Sequence, residues 1–168
     1  MGVLKILDAN LNRASEGLRV IEDIGRFLLQ NQVLSSRTKT LRHGIRKSAS
    51  TFALEALWER DVTQDPGVKV SQKTTLDQKN NLADLLTANF KRSEEALRCL
   101  EECLKMMHQD SLSKTYETFR FSLYALEQDY GKVVYQAKGK TFQPQGLYCI
   151  TASEHSNGRA RRCYYSVI

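Results

Sequence analysis

Asn10, Arg13, Glu16, Arg19 and Glu22 stand three residues apart, and Asn89, Arg92, Glu95, Arg98 and Glu101 repeat the same residue types at a constant offset of 79. Guanidiniums grip phosphate oxygens through bidentate hydrogen bonds, while carboxylates and amides hold a hard cation or accept a proton. A repeat kept for packing alone would retain its apolar positions and let its polar ones drift. Here the polar positions match, so the repeated surface has a task. In one reading, two facing copies line an internal polar pocket with Arg13, Arg19, Arg92 and Arg98 and with Glu16, Glu22, Glu95 and Glu101. Handling of a phosphorylated small molecule suits that set best, although no glycine-rich phosphate loop, GxGxxG or Walker pattern is present. In the competing reading the charges form a salt-bridge lattice, Glu16–Arg19 and Arg19–Glu22 within a helix and Arg13–Glu95 or Arg92–Glu16 across copies. Exposed pairs of that kind contribute only about 0.2–0.5 kcal/mol each.

The elements that must carry these residues are helical. Leu7, Leu11, Ala14, Leu18, Ile21, Gly25 and Leu28 follow alternating steps of four and three, predicting a helix from residue 4 to about 30. Leu86, Phe90, Ser93, Leu97, Leu100, Leu104 and Met107 give the same steps in the second copy. A further apolar stripe, Val20, Ile24 and Phe27, matches Cys99, Cys103 and Met106. Two stripes imply a helix covered on two sides, at a bundle centre. Partner helices are predicted over 35–60, with Ser35 and Ser36 as N-caps, and over 111–130. Shifted by 78 rather than 79, Leu41, Arg42 and Ile45 meet Phe119, Arg120 and Leu123. The predicted fold class is therefore all-α: a pseudo-twofold bundle of two helical hairpins followed by a tail. Domain limits of 1–136 and 137–168 follow, with the helical period fading after Gly131.

At 168 residues the chain can bury one adequate core. Its net charge of +6 is uneven: residues 1–131 carry +1 and residues 132–168 carry +5. The helical part thus shows no general attraction to nucleic acid. The sequence has no apolar run of membrane-spanning length and no signal-peptide pattern, so the expected setting is cytoplasmic, away from membranes. Cys99, Cys103, Cys149 and Cys163 form no CxxC pair and read as structural thiols. His43 and His108 read as ordinary helix residues. The linker at 61–76 contains the turn signal Asp65-Pro66-Gly67, and Arg60, Asp61 and Asp65 cluster at its start. That cluster is either a solvated loop or a set of acidic side chains reaching the bundle mouth to hold magnesium.

Ile6 through Asp23 closely resembles the opening of a helical domain fused ahead of thiamine phosphate synthase in some bacteria. Ala88-Asn89-Phe90-Lys91-Arg92 through Leu97-Arg98-Cys99-Leu100-Glu101-Glu102 resembles that domain's second signature, and Arg60-Asp61-Val62 with Asp65 its linker motif. The resemblance covers about residues 4–130. It implies a hydroxymethylpyrimidine phosphate kinase unrelated to the ribokinase-like enzyme, using ATP and Mg²⁺ in thiamine biosynthesis. On that basis Arg13, Arg19, Arg92 and Arg98 meet phosphates, and Asn10 and Asn89 meet the pyrimidine edge. Asp8, Glu16 and Glu95 act as catalytic carboxylates, on metal or on the attacking hydroxyl. Glu22, Glu101, Asp61 and Asp65 are the implied magnesium ligands. The partners are the pyrimidine phosphate and ATP, and a homo-oligomer is compatible with the pattern. Gly146-Leu147-Tyr148-Cys149-Ile150-Thr151 resembles the first barrel strand of the synthase, after which the sequence departs from the family pattern. The resulting expectation is a poorly ordered tail and no synthase activity. From a different functional class, a non-catalytic helical module that binds a phosphorylated ligand or a partner helix remains the alternative.

Overall fold

The structure, a computed structural model, describes residues 2–59 and 79–138, with side chains placed as far as residue 134. The described residues form an all-α bundle without strands. Helix α1 (Gly2–Asp23) runs into a π-helical turn (Ile24–Leu28) and is followed by α2 (Gln32–Ser48). A short 3₁₀ turn (Ala49–Thr51) leads to α3 (Ala53–Trp58). After the undescribed stretch come α4 (Leu82–Met106) and α5 (Asp110–Lys138). The chain divides into two compact units, Met1–Val134 and Tyr135–Ile168; of the second, only the backbone of 135–138 is described. Arg60, Asp61, Asp65, the 65–67 turn, the 146–151 strand, Cys149 and Cys163 lie outside the described residues.

The apolar stripe of each repeat becomes the core. Leu7, Leu11, Ala14, Leu18 and Ile21 from α1 pack with Leu86, Phe90, Leu97, Leu100 and Leu104 from α4, all buried. Full burial of one such large side chain contributes about 1.5–3 kcal/mol. Helix α1 lies at the centre, packed against α2, α3 and α4. Helix α5 reaches both α1 and α2. The Tyr130 hydroxyl donates to Ile21 O at 3.2 Å, and the Tyr116 hydroxyl donates to Ile45 O at 3.2 Å. The second predicted stripe is covered only in part: Ile24 is buried, but Phe27 and Met106 are 60% and 61% exposed.

Several predicted boundaries move, each for a local reason. Helix α2 starts at Gln32 because Asn31, not Ser35 or Ser36, is the cap, its side chain accepting from Leu34 N at 3.0 Å. Asn81 caps α4 in the same way, accepting from Asp84 N at 3.0 Å. The single helix expected over 35–60 is broken at Ala49–Thr51, where the chain turns Phe52 into the core. Helix α5 continues through Gly131 to Lys138, since one helical glycine costs only about 0.5–1 kcal/mol and is outweighed by packing. His108 is not an ordinary helix residue. It sits in the α4–α5 turn with φ of 57°, where His108 N bonds Lys105 O at 3.0 Å and Gln109 N bonds Leu104 O at 2.9 Å. That pair of bonds is a Schellman ending with histidine in the left-handed position.

The change of offset from 79 to 78 also has a structural cause. Gln30 closes the first hairpin with φ of 49°, as His108 closes the second. In the first copy, Leu29 N reaches back five residues to Ile24 O at 3.0 Å, and Asn31 N reaches six to Gly25 O at 2.8 Å. The π turn therefore takes up one residue that the second copy lacks. Equivalent positions are 79 apart before it and 78 apart after it.

Candidate functional site in the cleft between the repeats

The two copies meet where α1 crosses α4. Asn10 bonds Cys99 across the crossing, and farther along α1 the Ala14 carbonyl accepts from Ser93 Oγ at 3.4 Å. Partner numbers fall as α1 numbers rise, so the helices run antiparallel. Gly17 lets them approach: a Cβ there would stand 3.0 Å from the Asn89 carbonyl oxygen and would strike the Ser93 hydroxyl. Close approach of the backbones brings the first three polar residues of each repeat to one side.

There they line a cleft of about 830 Å³, within the ~300–1,000 Å³ usual for small-molecule sites. Asn10, Arg13 and Glu16 come from α1, and Asn89, Arg92 and Glu95 from α4, with Lys79, Lys91, Val20, Leu85, Ala88 and Ala96 completing the lining. The two asparagines are set alike. Asn10 Nδ2 donates to Ile6 O at 2.8 Å and Asn89 Nδ2 donates to Leu85 O at 2.8 Å, so each side chain is braced against its own helix with Oδ1 turned away. Asn10 Nδ2 also lies 3.2 Å from Cys99 Sγ, and Arg13 Nη1 is 3.5 Å from Asn10 Oδ1. Among the described residues no ion pair joins Arg13, Glu16, Arg92 or Glu95 to any partner. The cross-copy bridges of the lattice reading are thus absent from this surface, and so is Glu16–Arg19. Four cations (Arg13, Lys79, Lys91, Arg92) and two carboxylates (Glu16, Glu95) line it, and two further carboxylates, Glu94 and Glu127, pair with Lys91.

The last two positions of each repeat do something else. Glu22 accepts from Arg42 Nε at 2.9 Å, and Glu101 accepts from Arg120 Nε and Nη2 at 3.1 and 3.0 Å. Arg42 and Arg120 are themselves equivalent positions of the two returning helices, so one buried ion pair ties each hairpin together. Arg19 bridges Glu22 and Asp23 at 3.7 and 3.1 Å, and Arg98 bridges Glu101 and Glu102, both at 2.9 Å. Burial alone would raise the pKa of Glu101, but hydrogen bonds from Lys105 and Arg120, with the charges of Arg120 and Arg98, bring it below the ordinary carboxylate value. The carboxylates of Glu22 and Glu101, expected on magnesium, are thereby committed to guanidinium and ammonium partners. Among the described residues no group of three or more His, Cys, Asp or Glu is arranged to hold a metal ion. Arg19 and Arg98 lie outside the cleft lining, as does Asp8, which is buried and accepts from Asn12 Nδ2 at 3.4 Å.

Lys91 is a lining residue that the repeat did not reveal. Its counterpart in the first copy is Asn12, so a search for matched types passes over it, although it adjoins Arg92. Lys91 Nζ is held between Glu94 at 3.0 Å and Glu127 at 2.9 Å. Hydrogen bonds to Glu127 and then Glu94 raise its pKa, which keeps it charged. Glu94 is buried, and burial raises its pKa against the opposing pull of Lys91, with Glu127 adding to the rise. Cys99 and Cys103 are free thiols, half-buried as structural cysteines would be; burial and the neighbouring Cys99 push the Cys103 thiol up to about 11.

Comparison with known proteins adds what geometry alone cannot. The ThiD2 family model matches residues 5–129. A thiamine-phosphate synthase of Thermosynechococcus vestitus is 41% identical over 148 residues, covering 88% of this chain and 41% of that protein. A thiamine-phosphate synthase of Nostoc sp. is 36% identical over 154 residues, 92% of this chain and 42% of that protein. The thiamine-phosphate synthase of Rhodopirellula baltica is 33% identical over 155 residues, with 90% and 41% covered. The chain therefore spans about two fifths of the length of these curated relatives. No solved structure matches.

These relatives correct the functional expectation. They are named synthases, so the kinase reading is overturned, and with it the expectation of no synthase activity. No described helix is long and apolar enough to cross a membrane. Both repeats of the polar motif fall inside the matched stretch, 5–129, and the chain belongs to the ThiD2 family.

Proposed function

We propose that this chain serves the formation of thiamine phosphate, as the helical module of a thiamine-phosphate synthase type of protein, and that its cleft binds a phosphorylated pyrimidine precursor. One observation carries the reading: arginines from both repeats, Arg13 and Arg92, line one cleft of ligand size, and among the described residues neither forms an ion pair. An unpaired guanidinium in a polar cleft is a ready partner for phosphate oxygens, and a charge-assisted bond of that kind is about twice as strong as a neutral one. The carboxylates Glu16 and Glu95 and the oxygens of Asn10 and Asn89 supply acceptors suited to an amino-substituted ring. The names of the relatives support the pathway, and the arrangement of the cleft supports the class of ligand.

The test is calorimetric titration of the 168-residue chain with hydroxymethylpyrimidine phosphate. The reading expects saturable binding that weakens about tenfold, ~1.4 kcal/mol, in Arg92→Ala. Heat changes no larger than dilution, in wild type and variant alike, would overturn it.

A further inference from the structure

Lys91 belongs to a charged cluster that the first repeat lacks. Its Nζ donates to Glu94 Oε2 at 3.0 Å and to Glu127 Oε2 at 2.9 Å, so two carboxyls share one ammonium. At the offset of 79 the counterparts of Lys91 and Glu94 are Asn12 and Ser15, and at 78 the counterpart of Glu127 is Ala49, all uncharged. Glu94 is buried, and its other oxygen, Oε1, has no hydrogen-bond partner among the described residues. An ionised carboxylate can only accept, and a desolvated oxygen left unmatched is costly. A protonated carboxyl can donate, and the Glu127 carboxyl lies within its hydrogen-bonding reach. Burial raises the pKa of Glu94 most, ahead of the opposing hydrogen bond from Lys91, and the hydrogen bond and charge of Glu127 add to the rise. The other charges along this seam are engaged elsewhere. On α4, Arg98 pairs with Glu101 and Glu102; on α5, Arg120 pairs with Glu101 and donates to the Tyr124 hydroxyl. Among the described residues Glu94 takes no hydrogen bond or ion pair from α1.

Resting on the functional reading above, we propose that Glu94 and Glu127 hold one proton between them beside Lys91, and that this pair makes binding in the adjoining cleft sensitive to pH. With the proton in place, the Lys91 cation is balanced by a single carboxylate and the cluster is neutral. Without it, one ammonium faces two carboxylates and the cluster is anionic. Lys91 also lines the cleft, so the charge of the cluster acts beside the bound ligand. A phosphate dianion is repelled by the added negative charge and binds better to the protonated pair. By linkage, binding draws a proton onto the pair to the same extent. Loss of the proton bears on the α4–α5 joint as well, because the two like charges then facing each other belong to different helices.

Glu94→Gln copies the protonated form, since its amide nitrogen donates to Glu127 while its oxygen accepts from Lys91. Urea unfolding and titration with hydroxymethylpyrimidine phosphate, on wild type, Glu94→Gln and Glu127→Gln from about pH 5 to about pH 9, test the proposal. Because the raised pKa belongs to the folded state, the contribution of Glu94 to stability is fullest at low pH and is lost as pH rises through the folded value. Glu94→Gln should therefore gain stability relative to wild type toward high pH. In Glu127→Gln, with the like charge gone, the transition of Glu94 should move to lower pH. Wild type should bind the ligand as tightly as Glu94→Gln at the acid end and about fivefold more weakly at the alkaline end. Ionisation of the ligand itself cancels in that ratio. A stability difference that stays level with pH, or runs the other way, overturns the shared proton. The expected stability difference with a constant affinity ratio overturns the control of binding. A wild-type chain that binds at no pH removes the functional reading and the control of binding together, and unfolding alone then decides the shared proton.

Discussion

Five polar positions recur in each copy, yet they serve two ends, and helix winding decides which. Each three-residue step turns the side chain back by about 60°. Asn10, Arg13 and Glu16 therefore span a single face, which opens on the cleft, whereas Glu22 has turned far enough to meet Arg42 on α2. The types and spacing were readable in the sequence; the division was not, because it depends on where the partner helices lie. Arg120→Ala should cost about 1–3 kcal/mol in urea unfolding by removing two hydrogen bonds from the buried Glu101 carboxylate, which keeps Lys105 and Arg98. Since the pKa of Glu101 is depressed in the folded state, its charge contributes stability above the ordinary carboxylate range and loses it as pH falls through the folded value. The stability gap between wild type and Glu101→Gln should accordingly shrink on acidification, and a gap that widened would contradict the ion-pair role. With its thiol pushed up to about 11, Cys103 should resist alkylation at pH 8, a point that mass spectrometry after brief iodoacetamide treatment checks directly.

At the scale of elements, the repeat register was legible and so was the shift in it, but the cause of the shift was not. Hydrophobic period alone cannot distinguish an α turn from a π turn, since both keep the chain helical. The first hairpin tolerates the wider turn because Tyr130 from α5 reaches Ile21 O just before it, its hydroxyl 3.1 Å from that of Thr38. Gly25 leaves room for the tyrosine ring: a Cβ there would lie 3.1 Å from Tyr130 Cζ. Tyr130→Phe should lower stability by about 1–3 kcal/mol by leaving buried polar atoms unmatched, measurable as a shift in denaturation midpoint with unchanged m. The helix crossing makes a second demand. Gly17→Ala should cost about 1–3 kcal/mol through overpacking against Ser93 and the Asn89 carbonyl. It should also weaken ligand binding, because Asn89 lines the cleft that the crossing sets. Equal affinity in Gly17→Ala and wild type would show that the cleft does not depend on this close approach.

At the scale of the whole molecule, two hairpins pack so that their first helices cross at the centre, and the shared cleft follows from that symmetry. The all-α bundle and the pairing of the motifs could be anticipated from periodicity. The reaction could not, because arginines and carboxylates at helical spacing suit several reactions, and the expected kinase gives way to relatives that are named synthases. The central claim is that arginines of both repeats hold one phosphorylated pyrimidine. It is tested most directly by the thermal unfolding of wild type and of an Arg13→Ala, Arg92→Ala double variant, each with hydroxymethylpyrimidine phosphate. At 100 times the wild-type dissociation constant, the ligand should stabilise the wild type by about 2.7 kcal/mol and leave the double variant nearly unmoved. Equal stabilisation of the two proteins, or none in the wild type, would contradict the account.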